Sequence, residues 1–384
     1  MTEWRLVEGT LTTWYDAPSH AAGAALVERL VATGVDIDLR ANGLRLRTRD
    51  EESAGEISKA AHDLGLTADP SVLQEVRLAF EASDPVAVTT FWRTALGYAD
   101  TSDGLQDPLR RDPTVSVHQL TDSRPLRNRI HVDVVRPSDA VDAVRAASGQ
   151  EPYGAWGVAL ADPDGNEADV VPGDQLSPEA TDWWANFAAM VFYPTTSSTQ
   201  ASRLVSAVAK LADDANTPLQ IDLRPAGVMI DGSKDQWEDD APNGGAAFVK
   251  LARRIQDAAH ELGLAPDPQP LRFVQFGIDA VDADVLSTFW RTVLGYQPDP
   301  REQVSDIYDP RRLNPVLFFQ QLDANDERTK QRNRIHFELV VPQDQAQARI
   351  DTALSAGGRV LDRSDQHCLL SDPEGNEIDI LTIH

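Results

Sequence analysis

Phe91-Trp-Arg-Thr-Ala-Leu-Gly-Tyr98 recurs with a single change as Phe289-Trp-Arg-Thr-Val-Leu-Gly-Tyr296. Around the second occurrence, Val285, Leu286, Phe289, Trp290, Val293 and Leu294 fall on one face at helical spacing. Gly295 is placed to end that helix in a left-handed turn. The residues just before it, Phe273-Val-Gln-Phe-Gly-Ile278, read as a strand, with Glu75-Val-Arg-Leu-Ala-Phe80 as counterpart. Downstream come strand-like runs at Val316–Leu322 and Arg334–Val341 and a helix over Gln343–Ala356. Two closing strands then flank Asp372-Pro-Glu-Gly-Asn-Glu377.

Other matches keep the same order. His62-Asp-Leu-Gly-Leu66 returns as His260-Glu-Leu-Gly-Leu264, and Ile37-Asp-Leu-Arg40 as Ile221-Asp-Leu-Arg224. Asn128-Arg-Ile-His131 returns as Asn333-Arg-Ile-His336, and Asp162-Pro-Asp-Gly-Asn-Glu167 as Asp372–Glu377. The chain therefore reads as a tandem duplication of a unit of about 190 residues. Each unit divides at an Asp-Pro turn, giving modules at 1–70, 71–175, 180–268 and 269–384. At the junction, Ser177-Pro178-Glu179 reads as a helix start. The acidic stretch Asp235–Gly245 reads as an exposed loop.

In the first front module, Leu26, Val27, Leu30 and Val31 predict an amphipathic helix. Asp36–Arg40 and Leu44–Thr48 predict two strands joined at Asn42-Gly43, and Ala54–Leu64 predicts a second helix. The second front module repeats this with Leu204–Leu211, Ile221–Arg224, Val228–Ile230 and Ala247–Leu262.

Composition narrows the function. The 384 residues carry a formal charge of −26, which repels phosphate backbones and anionic lipid, so neither nucleic acid nor a membrane surface is an expected partner. Cys368 is the single cysteine, so there is no intrachain disulfide and no cysteine-based zinc site. Met1–Gly9 lacks a basic segment followed by an apolar core, and no apolar run reaches membrane length. These features predict a cytoplasmic protein with a small-molecule ligand.

The rear modules resemble the vicinal oxygen chelate superfamily in its glyoxalase-like branch. The resemblance rests on the Phe-Trp…Leu-Gly-Tyr helix, the Asn-Arg-Ile-His strand and the Asp-Pro-(Asp/Glu)-Gly-Asn-Glu turn. It implies paired βαβββ units and metal ligands on the first, fourth, fifth and eighth strands. Strand alternation puts Ile335, Phe337 and Leu339 on one face and His336 and Glu338 on the other. Likewise Glu377 and Asp379 oppose Ile378 and Ile380, and Gln275 opposes Val274 and Phe276.

Carried onto this sequence, the resemblance implies a metal site of Gln275, His336 and Glu377 in the second rear module, with Glu377 as catalytic group. It would hold one divalent Zn, Ni, Fe or Mn acting as Lewis acid on adjacent substrate oxygens. The fourth strand, Phe318–Leu322, supplies no carboxylate. In the first rear module Arg77 stands at the Gln275 position, beside His131 and Glu167. A guanidinium there would supply a charge in place of a metal, pairing with Glu167 or Asp169, so no metal is expected in that module. Glu338, Asp379, Arg77, His131 and Glu167 are the expected substrate-binding groups. His118 reads as a partly exposed strand residue, and Trp92 and Trp290 as core.

The front modules resemble the pterin-4a-carbinolamine dehydratase family in their helix–hairpin–helix order. That family's histidines have no counterpart here. The relevant positions are Thr33-Gly34-Val35 and Thr48-Arg49 in the first module, and Asn216-Thr217-Pro218 and Asp231-Gly232 in the second. The expected fold class is α+β, a tandem repeat of a dehydratase-like two-layer module and a βαβββ-βαβββ glyoxalase-like domain. The expected function is that of a glyoxalase-like lyase, isomerase or dioxygenase. The alternatives are a non-catalytic small-molecule binder of the bleomycin-resistance kind and, less favoured by its missing histidines, a pterin dehydratase. The chain is expected as a monomer with an internal pseudo-dimer, or as a homodimer.

Overall fold

The computed structural model describes residues 3–7, 9–30, 34–301 and 303–383. Val31 and Thr33, two positions read above, lie outside them. The chain forms two units, each drawing on both halves of the sequence. One comprises Met1–Leu73 with Gly173–Leu271, the other Gln74–Pro172 with Arg272–His384.

In the first unit the strands pair in the order Arg5–Val7, Thr10–Asp16, Gly43–Thr48, Asp36–Arg40, Gln220–Arg224, Gly227–Lys234, Ala188–Pro194, Ala180–Asn186. Alternation sends Ile37, Leu39, Leu44, Leu46, Ile221 and Leu223 to one face. There they meet helices His20–Arg29, Glu51–Asp63, Ser198–Ala215 and Gly245–Glu261 in one apolar core. The opposite face carries buried charge at its centre, where Asp38 and Asp222 face each other across the central antiparallel pair. Arg40 donates to Asp222 at 2.7 Å, and Arg45 Nε to Asp38 at 2.6 Å, while Arg224 also binds Asp38. Four arginines around it, Arg224, Arg45, Arg47 and Arg40, hold Asp38 well below the usual carboxylate range despite its burial.

Two sequence expectations fail here. Ser177-Pro178-Glu179 does not start a helix: strand Glu167–Ser177 turns into strand Ala180–Asn186, and Ser177 Oγ accepts from the amides of Glu179 and Ala180. The cap geometry serves a turn, and the Ala180 and Trp183 that follow are buried within a strand. The front modules are also not simply helix–hairpin–helix. Each opens on a hairpin, built from Thr-rich Thr10–Asp16 in one and apolar Ala188–Pro194 in the other.

The second unit holds two sheets around a shared core. One runs Ala159–Ala161, Glu167–Ser177 (its residues to Pro172), Ile130–Pro137, Phe273–Ala280, Val316–Gln321, Ile307–Tyr308, Gln297–Pro298. The other runs Arg359–Arg363, His367–Ser371, Glu377–Ile383, Ile335–Pro342, Glu75–Ala82, Val115–Gln119, Gly104–Gln106, Ala99–Thr101. Each sheet thus joins the first strands of one rear module to the last strands of the other. Helices Pro85–Leu96 and Ala283–Leu294 end at Gly97 and Gly295 in left-handed turns, as the repeated motif predicts. Val285, expected on the apolar face of the second helix, is instead exposed.

The recurring turns do more than reverse the chain. Asp372 Oδ2 accepts from the Trp290 indole at 3.1 Å and from the Asn376 amide at 2.7 Å; Asp162 does the same for Trp92 and Asn166. Asn333 donates to Asn376 at 2.8 Å and accepts from the Arg129 amide at 3.0 Å. Asn128 bonds Asn166 and accepts from the Arg334 amide at 2.7 Å. The Asn-Arg-Ile-His strands are therefore braced to both Asp-Pro turns and to each other.

Candidate functional site

Strand pairing decides which polar groups meet. Phe273–Ala280 lies antiparallel to Ile130–Pro137, setting Gln275 opposite Asp133 and Gly277 opposite His131. Val274, Phe276 and Ile278 face the core with Ile130, Val132 and Val134, so Gln275, His131 and Asp133 share the other face. Asp169, on the adjacent strand, completes a cluster. One ligand-type atom each from His131, Asp133 and Asp169 lies within 4.8 Å of the others.

Gln275 is 2% exposed; its Nε2 donates to Asp133 Oδ2 at 2.8 Å, and its Oε1 has no hydrogen-bond partner. Burial pushes the His131 imidazole down to about 4, so it is neutral near pH 7 with a lone pair to offer. Burial raises the Asp169 carboxyl, opposed by Arg127. The imidazole lies over Gly277, where any side chain would collide with it, and the Phe318 ring meets it edge-on at 5.5 Å. At the rim, Arg127 binds Glu167 and, at 2.9 Å, Asp279, to which Arg328 also donates at 2.5 Å. Half-exposed Tyr153 is raised by burial and feels the charges of Arg127 and Asp169.

The second sheet repeats the arrangement with different chemistry. Arg77 faces Glu338, and His336 faces Ala79, across the pair of Glu75–Ala82 and Ile335–Pro342. Asp379 lies beside Glu338 in register. Arg77 Nη1 is 4.0 Å from Glu338 Oε2. Burial holds His336 down to about 4 and raises Glu338 and Asp379. His367 Nδ1 is 3.1 Å from Asp379. Glu377 is held by both Nε and Nη2 of Arg332, at 2.5 and 2.8 Å.

The structure therefore redistributes the residues singled out from the sequence. His336 and Glu377 share a sheet, but Gln275 lies in the other, with His131, Asp133 and Glu167. Arg77 sits with His336 and Glu338, and the partner of Glu167 is Arg127 rather than Arg77. The reason is the exchange of strands between halves, which no motif within one half reveals. Asp133 went unread for the same cause. Its alternation with Val132 and Val134 marks it as polar-facing, but nothing local ties it to Gln275.

In the first unit, His62 and His260 take part in one repeated contact. Each hydrogen-bonds a carboxylate, Glu3 or Asp182, that also accepts from a buried tyrosine, Tyr15 or Tyr193. His20 is buried between Asp213 and the Leu219 carbonyl. No helix among the described residues is long and apolar enough to cross a membrane.

Comparison with known proteins follows the second unit. No curated protein matches the chain. Solved structures are similar to it at low identity. Glyoxalase I from Zea mays is 9% identical over 80% of this chain and 93% of its own, with a TM-score of 0.38. A glyoxalase/bleomycin resistance protein/dioxygenase family enzyme from Burkholderia phytofirmans PsJN is 18% identical over 28% of this chain and 95% of its own, with a TM-score of 0.23. The family profile of the glyoxalase-like domain matches residues 77–171 and 275–381, together more than half of the chain. The chain belongs to the glyoxalase-like domain family.

Proposed function

We propose that this protein is a metal-dependent glyoxalase-like enzyme acting on a small molecule, with one site built from His131, Asp133, Asp169 and Gln275. The observation that carries this reading is the buried Gln275 Oε1, which has no hydrogen-bond partner and stands beside the His/Asp/Asp cluster. A buried acceptor without a donor is costly unless something cationic or protic fills the space. The donor set is one imidazole and three oxygens, which suits Zn, Ni, Fe or Mn. A bound ion would act as a Lewis acid on a substrate presenting two adjacent oxygens.

The chain's own groups prepare that site. The neutral His131 offers its lone pair without first losing a proton. The Gln275 amide nitrogen also holds Asp133 in place, leaving its oxygen for the ion. Arg127 and Arg328 hold Glu167 and Asp279 at the rim.

One observation favours a second reading, ligand binding without turnover. Glu167 and Glu377, at the positions where the resemblance places a carboxylate, are each locked to an arginine. One experiment separates the readings. Full-length protein purified without chelator is assayed for bound metal, then titrated with Mn2+ and Zn2+ beside Asp133→Ala and Asp169→Ala. The enzyme reading expects one equivalent in the parent and none in the variants. A metal-free parent that takes up none would leave the binding reading.

A further inference from the structure

We infer that Arg77 stands where a metal would otherwise sit in the second sheet, so that this one residue decides which of the two sites takes an ion. The inference rests on the metal reading of the first site. The two sites match position by position. His336 corresponds to His131, Glu338 to Asp133, Asp379 to Asp169, Glu377 to Glu167 and Arg332 to Arg127. The facing strands hold them in the same registers. The residue opposite the fifth-strand acid differs in charge, Gln275 in one sheet and Arg77 in the other, and the second sheet also sets His367 against Asp379 where the first has Gly157.

Charge balance explains why the difference matters. Glu338 and Asp379 are neighbours on adjoining strands in a largely buried setting, where two like charges are unfavourable without a cation. In the first sheet Gln275 is neutral and offers an oxygen, so a cation must come from outside. In the second, the Arg77 guanidinium brings its own positive charge to 4.0 Å from Glu338. It has no lone pair to donate and repels a divalent ion. The backbone also differs: Gly277 leaves room for the edge of the His131 imidazole, whereas His336 faces Ala79.

The test is metal stoichiometry on the full chain, read by equilibrium dialysis with Mn2+ and by the electron paramagnetic resonance of the bound ion. The parent is expected to bind one equivalent, Arg77→Gln two, Arg77→Lys one and Gln275→Arg none, with unchanged circular dichroism. The second equivalent gained by Arg77→Gln should vanish when His336→Ala is added. A folded Arg77→Gln protein that binds no more than the parent overturns the inference. Should that variant misfold, Gln275→Arg decides alone, since an undiminished equivalent there overturns it equally. A parent that binds nothing while Arg77→Gln binds one would sink the metal reading of the first site yet uphold the role of Arg77.

Discussion

Gln275 and Asp133 lie 142 positions apart in the chain yet face each other across one strand pair, amide to carboxylate at 2.8 Å. Gln275 opens the second glyoxalase-like segment, and Asp133 sits in the middle of the first. The bond therefore ties the halves together at the point where a ligand would be held. A glutamine presents both a donor and an acceptor, and here only the donor is used. The acceptor, Oε1, is left for the site.

The position of His131 depends on a missing side chain. A Cβ built at Gly277 would come within 2.1 Å of the imidazole Cε1 and 2.7 Å of the Phe318 ring. Gly277→Ala should push the imidazole aside and weaken Mn2+ binding at least tenfold by dialysis. The overpacking should cost about 1–3 kcal/mol in urea denaturation. Unaltered metal affinity would show that His131 does not contribute.

Stability should depend on pH through His336. Its imidazole is held down to about 4 by burial, against 6.5 when unfolded. Between these values the unfolded chain binds more protons than the folded one, so stability rises with pH across this window and is lost as pH falls through it. The full effect is on the order of 3 kcal/mol. Urea midpoints measured from pH 4 to 7 should show the slope, and His336→Gln should reduce it, the remainder coming from His131, which burial also holds down to about 4.

Asp372 is expected to be a stability residue. It receives the Trp290 indole, the Asn376 side-chain amide and the backbone amides of Glu374 and Asn376. Asp372→Ala leaves these buried donors without an acceptor and should cost about 2–4 kcal/mol. Asp372→Asn, which keeps an oxygen, should cost less. Thermal unfolding followed by tryptophan fluorescence checks both.

In the first unit, Asp38 is the acceptor shared by Arg45, Arg47 and Arg224. Removing it strands buried guanidinium charge, so Asp38→Ala should destabilise that unit by about 3–5 kcal/mol. Denaturation should then split into two transitions, the earlier belonging to this unit. A single unshifted transition would mean that the arginines find other acceptors.

Much of the local structure is written in the sequence. The Phe-Trp…Leu-Gly-Tyr helices end at their glycines because only a left-handed turn releases the chain there, and glycine takes it without strain. Alternation along Ile335–Pro342 and Phe273–Ala280 sorts core from polar face because side chains on a strand alternate strictly. Those rules act within a few residues, so one sequence suffices to read them. They also place Gln275 on a polar strand face and show the charge contrast between Gln275 and Arg77. Ser177 shows their limit, since the same serine caps a turn or a helix and burial of Trp183 chose the turn.

Which polar faces meet is a different matter. His131, Asp133 and Asp169 come to Gln275, and His336, Glu338 and Asp379 to Arg77, because the first strand of each half pairs with the other half's central strand. That choice rests on burying both apolar faces in one core and on the asparagine braces between Asn128, Arg334, Asn333 and Arg129. Either half could have paired with itself under the same alternation. The sequence by itself determined most of the elements, their polar faces and the family. Only the packed structure decided that Gln275 belongs with His131 and not with His336, because register between distant strands is set by the core they jointly bury.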